Sequence, residues 1–264
     1  MDRQNKTRCA LEKEAFQRAL SKVEREVNFR TDRVIVLEDD RWHPGVLGIV
    51  ATRLTYRFHR PTVVIATNGP ICRGSARSIR AFHLVEALEQ VKEHLVEFGG
   101  HPGAAGLTIA RDKIANFREQ INRIAHERIR PEMLTPSLDL DAELPLSALT
   151  KEVMEDLGLL VPFGIGNPWP IFVSEDARLS VQGGSARFHP RGVRFQVEDP
   201  TGRSFEVLQP RQEIAEGWNV RRLPRGPLRL AYSPMVPPAE DGSEIELRLC
   251  DLKLVPGTKT AQLL

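Results

Sequence analysis

Cysteine is scarce: the 264-residue chain has three, Cys9, Cys72 and Cys250, far apart and without metal-ligand spacing. Scattered thiols in odd number exclude a disulfide framework and fit a reducing, cytoplasmic compartment. Long apolar runs are missing as well, none approaching the roughly 18 residues of a membrane span. The start, MDRQNKTRCALEKE, is too charged for a secretory signal. The expectation is a protein that is neither secreted nor membrane-spanning. Excess charge of one sign is also lacking, with 37 Lys and Arg against 35 Asp and Glu for a net +2. That excludes a bulk polycation, so affinity for nucleic acid must come from local patches. No internal repeat and no low-complexity tract occurs. What is present, 41% hydrophobic and 27% charged residues, can bury a core in one large or two ordinary domains.

Leu11, Phe16, Leu20, Val23 and Val27 recur at helical spacing with charged residues between them, which predicts an amphipathic N-terminal helix. Its stripe must meet the following domain or something outside this chain. Strand and helix signals then alternate. RVIVL (33–37) and PTVVIA (61–66) read as buried strands, and Pro44 suits the first turn of a helix through GVLGIVATRLTYRF. GSARS (74–78) falls in a loop or short strand. A helix is predicted from about Phe82 to Phe98, with Val85, Leu88 and Leu95 on one face, ending at Gly99. AAGLTIA (104–110) reads as a third strand, and Ile114, Phe117, Ile121 and Ile124 mark a closing helix. Such alternation indicates a small α/β domain. Past Pro131 the texture changes to five short β-like runs separated by Gly, Pro and charged turns: PIFVSEDARLSV, RFHPRGVRFQVED, RSFEVLQ, PLRLAYS and SEIELRLCDLKLV. These predict a small all-β barrel or sandwich. The expected organisation is a helix over 1–28, an α/β domain over 29–130 and a β domain over 131–264.

Three small-residue motifs fall in the α/β half, each in or beside a loop where α/β folds build ligand sites: WHPGVLGIVA (42–51), GSARS with Arg73 before it, and GGHPGAAG (99–106). Glycine lets a ligand approach the backbone, while Arg73, Arg77 and Arg80 with Ser75 and Ser78 suit phosphate oxygens. The plainer alternative is an arginine-rich solvated loop beside a capped turn. Arg53, Arg57 and Arg60 are spaced as one solvated helix face, and His59, His83, His94 and His126 read as surface residues. His43 orients a helix start.

In this order the three motifs resemble the DHH-associated domain of RecJ-type single-strand-specific exonucleases, of the DHH phosphoesterase superfamily. PFGIGNPWPIF (162–172) resembles the segment opening the OB-fold of those proteins, and DRQNKTRCALEKEAF resembles the end of the helix joining their two core domains. The resemblance implies an α/β DHH-associated domain, then an OB-like barrel, with a connecting helix in front. It further implies that Arg73, Gly74, Ser75, Arg77, Ser78, Gly99, Gly100 and His101 bind single-stranded DNA, with His101 orienting the scissile phosphate. On the barrel it implies a DNA-binding hairpin carrying Arg187, Phe188 and Arg194, where Arg191 and Phe195 add charge and an aromatic ring. PFGIGNP reads as a rigid turn packing the barrel on the α/β domain.

One departure from the family is large. A DHH domain holds a manganese pair through aspartates and histidines, yet no Asp-His pair occurs in this sequence. No His and Asp cluster of ligand spacing replaces it. The chain is therefore expected to carry no metal or other cofactor, the Mn²⁺ or Mg²⁺ belonging to a DHH domain supplied in trans, for which the N-terminal stripe is the expected docking surface. Two functions stay open: the DNA-binding part of a 5′ to 3′ single-strand exonuclease, and a non-catalytic adaptor for single strands or for replication and repair proteins.

Overall fold

The computed structural model describes residues 2–164, 166–180, 186–210, 226–236 and 245–255. Contacts divide the chain into two compact units, Met1–Ser137 and Leu138–Leu264. Pro131 itself opens a short 3-10 turn, Pro131–Leu134, of the first unit. Of the five β-like runs, Val181, Ser243 and Glu244 lie outside the described residues, as does Ile165 of PFGIGNP. Among the described residues no helix is long and apolar enough to cross a membrane.

The first unit runs α1 (Asp2–Glu26), β1 (Ile35–Asp39), a 3-10 turn at Pro44–Val46 leading into α2 (Leu47–Phe58), β2 (Thr62–Ala66), β3 (Ile71–Arg77), α3 (Leu84–Glu89), β4 (Leu95–His101), β5 (Ala104–Ala110) and α4 (Ile114–Arg128). Its sheet has the order β1-β2-β3-β5-β4. β1 and β2 are parallel and the remaining pairs antiparallel. β2, TVVIA, is buried at every position, as a strand covered on both faces must be. One face meets α3 and α4 through Val36, Val63, Ile65, Cys72, Ala76, Ala105, Leu107 and Ile109, residues drawn from four strands. The other meets α1 and α2, but only Ile35, Leu37, Val64 and Ala66 reach that second core, all from β1 and β2. The apolar core on this side stops after β2, although α2 still reaches β3, where the Thr55 hydroxyl donates to the Arg77 carbonyl at 3.4 Å.

β1 is an edge strand, and α4 serves its start. Asn122 accepts from the backbone N–H of Arg33 and Val34 at 2.8 Å each and donates to the carbonyls of Val34 and Arg118 at 3.1 Å. All of this buried amide's bonds are made inside the fold, which fixes α4 against the strand.

The second unit contains β6 (Ala142–Glu143), α5 (Lys151–Gly158), β7 (Phe172–Leu179), β8 (Arg187–His189), β9 (Gly192–Glu198), β10 (Ser204–Pro210), β11 (Pro227–Met235) and β12 (Glu246–Leu254). Pairing runs β7-β11-β12-β10-β9 and returns from β9 to β7, closing a five-stranded barrel. β10 and β12 are parallel and the other barrel pairs antiparallel. In chain order the ring reads 1-2-3-5-4 and back to 1. Inward residues such as Val197, Phe205, Val207, Leu228, Leu230, Tyr232, Leu247 and Leu249 fill it. Tyr232 donates to the Leu144 carbonyl at 2.9 Å, and burial pushes its phenol well above the usual range.

Several expectations are corrected. The helix expected over Phe82–Phe98 stops at Glu89, and Leu95–His101 is a strand. Helical spacing of Val85, Leu88 and Leu95 misleads because EFGGH pairs with β5 in a hairpin, where two glycines cost less than in a helix. GSARS, expected in a loop or short strand, lies on a strand through Arg77, with Ser78 just past its end. The N-terminal stripe is not a free docking surface, since Phe16, Ala19 and Val23 are buried against β1 and α2. Arg53 is only partly solvated: its guanidinium lies 3.7 Å from the Phe16 ring centre and 3.4 Å from Glu12. Three of the histidines expected at the surface have partners, His94 lying 3.7 Å from Glu93. His83 accepts from the Glu86 N–H at the start of α3, and His126 accepts from the Arg33 Nε at 2.9 Å.

Candidate nucleic-acid interface

Beyond β3, which α2 still meets through Gly48 and Thr55, β5 and β4 present a face that no residue of the α1–α2 core covers. Because alternate residues of a strand share a face, the register aligns three rows across these strands. They are Arg73–Thr108–Glu97, Ser75–Gly106–Gly99 and Arg77–Ala104–His101. The two outer strands of this floor are about 10 Å apart. The side chains between the rows, Cys72, Ala76, Ala105 and Leu107, point into the opposite core. Arg73, Glu97, Gly99, His101 and Gly106 are exposed, and Ser75, Arg77 and Thr108 are half-buried. The result is a low floor of glycine, alanine and serine with Arg73, Arg77, His101 and the carboxylate of Glu97 at its rim.

The five glycines around this floor serve two different purposes. At Gly74 a Cβ would stand 2.8 Å from Leu107 and 3.2 Å from Ile65, so packing of the covered face requires glycine there. At Gly100, with φ +152°, a Cβ would meet the Ala104 carbonyl oxygen at 2.2 Å. Gly99, Gly103 and Gly106 differ, because a Cβ on any of them would meet nothing within 4 Å. No demand of the fold explains these three.

The WHPGVLGIVA motif comes to the same place. His43 accepts from the Gly45 N–H at 3.0 Å and so sets the turn into α2. A Cβ on Gly48 would lie 3.3 Å from the Arg77 guanidinium and 3.4 Å from the Ser75 hydroxyl. The three motifs, separate in sequence, are thus neighbours in the first unit. Arg77 is steadied from below as its Nη1 donates to the Ala76 carbonyl at 2.9 Å. Ser78 supports the site and does not open onto it: its hydroxyl donates to the Phe82 carbonyl at 2.6 Å and its N–H to the Gly103 carbonyl at 2.9 Å. With the Leu84 N–H on the Pro102 carbonyl, also 2.9 Å, this anchors the hairpin that carries His101.

On the barrel, β8 and β9 form the expected hairpin, with Phe188 paired to Val193. Phe188 is 90% exposed and Arg187 is exposed, whereas Phe195 turns into the barrel core. Arg194 faces carboxylates of its own unit, 2.8 Å from Glu246 and 3.6 Å from Glu206, and Arg191 adds a contact of 2.9 Å to Glu246. Glu246 is 1% exposed, and both arginines neutralise it. Arg194 is therefore engaged internally, a role invisible in the spacing because its partners lie on β10 and β12. Asn167 of PFGIGNP holds its own loop, donating to the carbonyls of Leu160 at 2.7 Å and Pro162 at 3.1 Å.

Among the described residues no group of three or more His, Cys, Asp or Glu is placed to hold a metal ion. The side chains of this floor do not fit a metal pair, and no step involving one is derived from them.

Comparison with known proteins matches both domains. The DHHA1 domain model matches residues 31–127 and the RecJ OB domain model residues 140–249. The single-stranded-DNA-specific exonuclease RecJ of Bacillus subtilis is 36% identical over 181 residues, 68% of this chain and 23% of that protein. Its namesake from Thermus thermophilus is 33% identical over 198 residues, 74% of this chain and 28% of that protein. The crystal structure of T. thermophilus RecJ in complex with Mg²⁺ superposes with a TM-score of 0.70 at 26% identity, covering 96% of this chain and 36% of that one. The Mn²⁺ complex of the same protein gives the same TM-score, with 35% of that chain covered. The chain thus spans about a quarter of the length of these two curated relatives.

Proposed function

The chain belongs to the RecJ family through its DHHA1 and RecJ OB domains, and on that footing we propose that it is a single-stranded-DNA-binding part of a RecJ-like 5′ to 3′ exonuclease. The observation that carries the reading is the β3-β5-β4 floor, where three glycines have no packing purpose and Arg73, Arg77 and His101 stand at the rim. A sugar–phosphate backbone can lie against such a floor, with the guanidinium groups meeting its oxygens and no base identity being read. On the barrel, exposed Phe188 offers a ring for a base to stack on, with Arg187 beside it for phosphate.

Within this reading His101 is the group nearest to chemistry. Exposed at the end of the hairpin and in one row with Arg77, it can donate a hydrogen bond to a phosphoryl oxygen as negative charge develops there. Hydrolysis needs in addition a DHH domain, joined to this chain or separate, which supplies the metal ions. The protein acts in the cytoplasm.

The test is fluorescence anisotropy of the full chain with labelled single strands across a salt series, beside the matching duplex. Binding should weaken steeply with salt, as counterion release requires, and duplex should bind less well. Salt-insensitive binding, or equal affinity for duplex, would remove the DNA assignment.

A further inference from the structure

One edge of the same sheet carries two arginines, Arg33 and Arg60, that are held by carbonyl groups and by no carboxylate among the described residues. Arg33 precedes β1 and Arg60 precedes β2. The first residue of β2, Thr62, pairs with Arg77, so this edge adjoins the Arg77–Ala104–His101 row of the open floor. Phe29 and Phe58 stack here with ring centres 5.3 Å apart. The Arg60 guanidinium lies 5.1 Å from the Phe29 ring centre and that of Arg57 lies 5.8 Å from Phe58, giving a tiered stack of two rings and two cations. Arg60 is held in place as its Nη2 donates to the Phe29 carbonyl at 3.3 Å, and Arg33 as its Nε donates to His126 at 2.9 Å.

Neither Arg33 nor Arg60 has a carboxylate within ion-pair distance among the described residues, and the Arg60 Nε is shielded from water with no acceptor. Burial, with the positive Arg33 nearby, lowers the Arg60 pKa. Two fixed like charges are stabilised together by one anion. The opposite end of the sheet is different. There Lys22, Arg111 and Arg118 share a polar groove with Glu26, Glu38, Asp39 and Asp40, and Arg118 is 3.2 Å from Glu38. Cations at that end already face carboxylates, so a polyanion gains most at the Arg33–Arg60 edge.

We propose that a single strand lying on the open floor continues across this edge, where Arg33 and Arg60 hold its phosphates beside the Phe29–Phe58 stack. The inference rests on the single-strand reading above and adds a second contact zone to it. A basic groove interleaved with aromatic rings is the surface that single strands use, and guanidinium planes on the stack give bases a further place to lie.

The experiment compares the full-length chain with Arg60→Gln and Arg60→Lys, using oligonucleotides of about 5 and about 16 nucleotides, a range that brackets single-strand site sizes. A short strand fills the floor alone. Arg60→Gln should leave its affinity unchanged, weaken the longer strand, and reduce the long strand's salt slope by about 1, the loss of one phosphate contact. Arg60→Lys keeps the charge and should keep most of the slope. Because Arg60 also props Phe29, the readout is the difference between the two lengths on one preparation, which partial unfolding lowers equally. Equal weakening of both lengths, or of neither, overturns the second zone while leaving the first intact. Failure of the unaltered chain to bind either length overturns both. Titration with inorganic phosphate separates the sources: a rise in melting temperature that Arg60→Gln abolishes marks a free-phosphate site and overturns the strand path. An acidic peptide that displaces the long strand as well as an equally charged oligonucleotide does likewise, in favour of a protein partner.

Discussion

The two halves of the first unit's sheet share one hydrogen-bonded register and use their side chains in opposite ways. On β1 and β2, Ile35, Leu37, Val64 and Ala66 are buried under α1 and α2. On β3, β5 and β4 the same face carries Ser75, Gly106, Gly99 and Ala104; α2 reaches β3 through Gly48 and Thr55, and no residue of β5 or β4 joins the core under α1 and α2. A β-branched residue in a strand calls for a partner layer to bury it, whereas glycine and serine leave the backbone approachable from outside. What marks the candidate site is therefore a local subtraction of side-chain volume next to a normally packed core.

The covered half should fail by unfolding and the open half by losing ligand. Phe16 sits at the centre of the covered side, 3% exposed beneath the Arg53 guanidinium. Phe16→Ala should cost about 3–5 kcal/mol of stability, read by chemical denaturation. The folded fraction should keep its affinity for single strands, and a stable variant with lost binding would reverse the assignment of the two halves.

A glycine pair sharpens the contrast. Gly100→Ala puts a Cβ against the Ala104 carbonyl and should destabilise by about 1–3 kcal/mol, the usual scale of a strained backbone site. Gly106→Val adds volume where nothing stands within 4 Å and places a β-branched residue in a strand. Its melting temperature should hold or rise, while single-strand affinity drops roughly tenfold, about 1.4 kcal/mol. If Gly106→Val binds as the parent does, the floor is not a contact surface.

The smallest effect belongs to the barrel, which acts as a control. Burial alone would raise the Asp199 pKa. The Thr201 hydroxyl at 2.7 Å and the N–H groups of Thr201 and Arg203 at 2.8 and 3.0 Å outweigh that and lower it. A carboxylate whose folded pKa is depressed contributes stability in full above its unfolded value, near pH 4, and loses it as pH falls through the folded value. The barrel should therefore melt earlier below about pH 4, and Asp199→Asn should flatten that dependence. An unchanged acid profile in the variant would contradict the turn's role.

Much of this fold was legible in the sequence. Apolar periodicity gave α1, α2 and α4, continuous β-branched runs gave β1 and β2, and five turn-bounded segments gave the strands of the barrel. The shortened α3 was not legible, because Val85, Leu88 and Leu95 fit a helix locally and only pairing of β4 with β5 decides otherwise. For the candidate site, the motifs GSARS and GGHPGAAG lie on β3, β4 and β5 and the turns beside them, which the register brings together. Sequence could not tell the glycines that packing requires, Gly74 and Gly100, from Gly106, which was not singled out and lies at the centre of the floor. It also could not see Arg194 turned to Glu246, or Arg60 set over Phe29, since both partners lie far away in the chain.

The claim that the uncovered half-sheet receives the strand is tested most directly by amide hydrogen exchange of the full chain with and without a saturating single-stranded oligonucleotide. The account predicts slowed exchange over residues 73–78 and 99–108, with residues 35–39 and 62–66 unchanged, since those amides are already shielded in the covered half. Protection elsewhere in the molecule, with 73–78 and 99–108 exchanging as in the free protein, would contradict it.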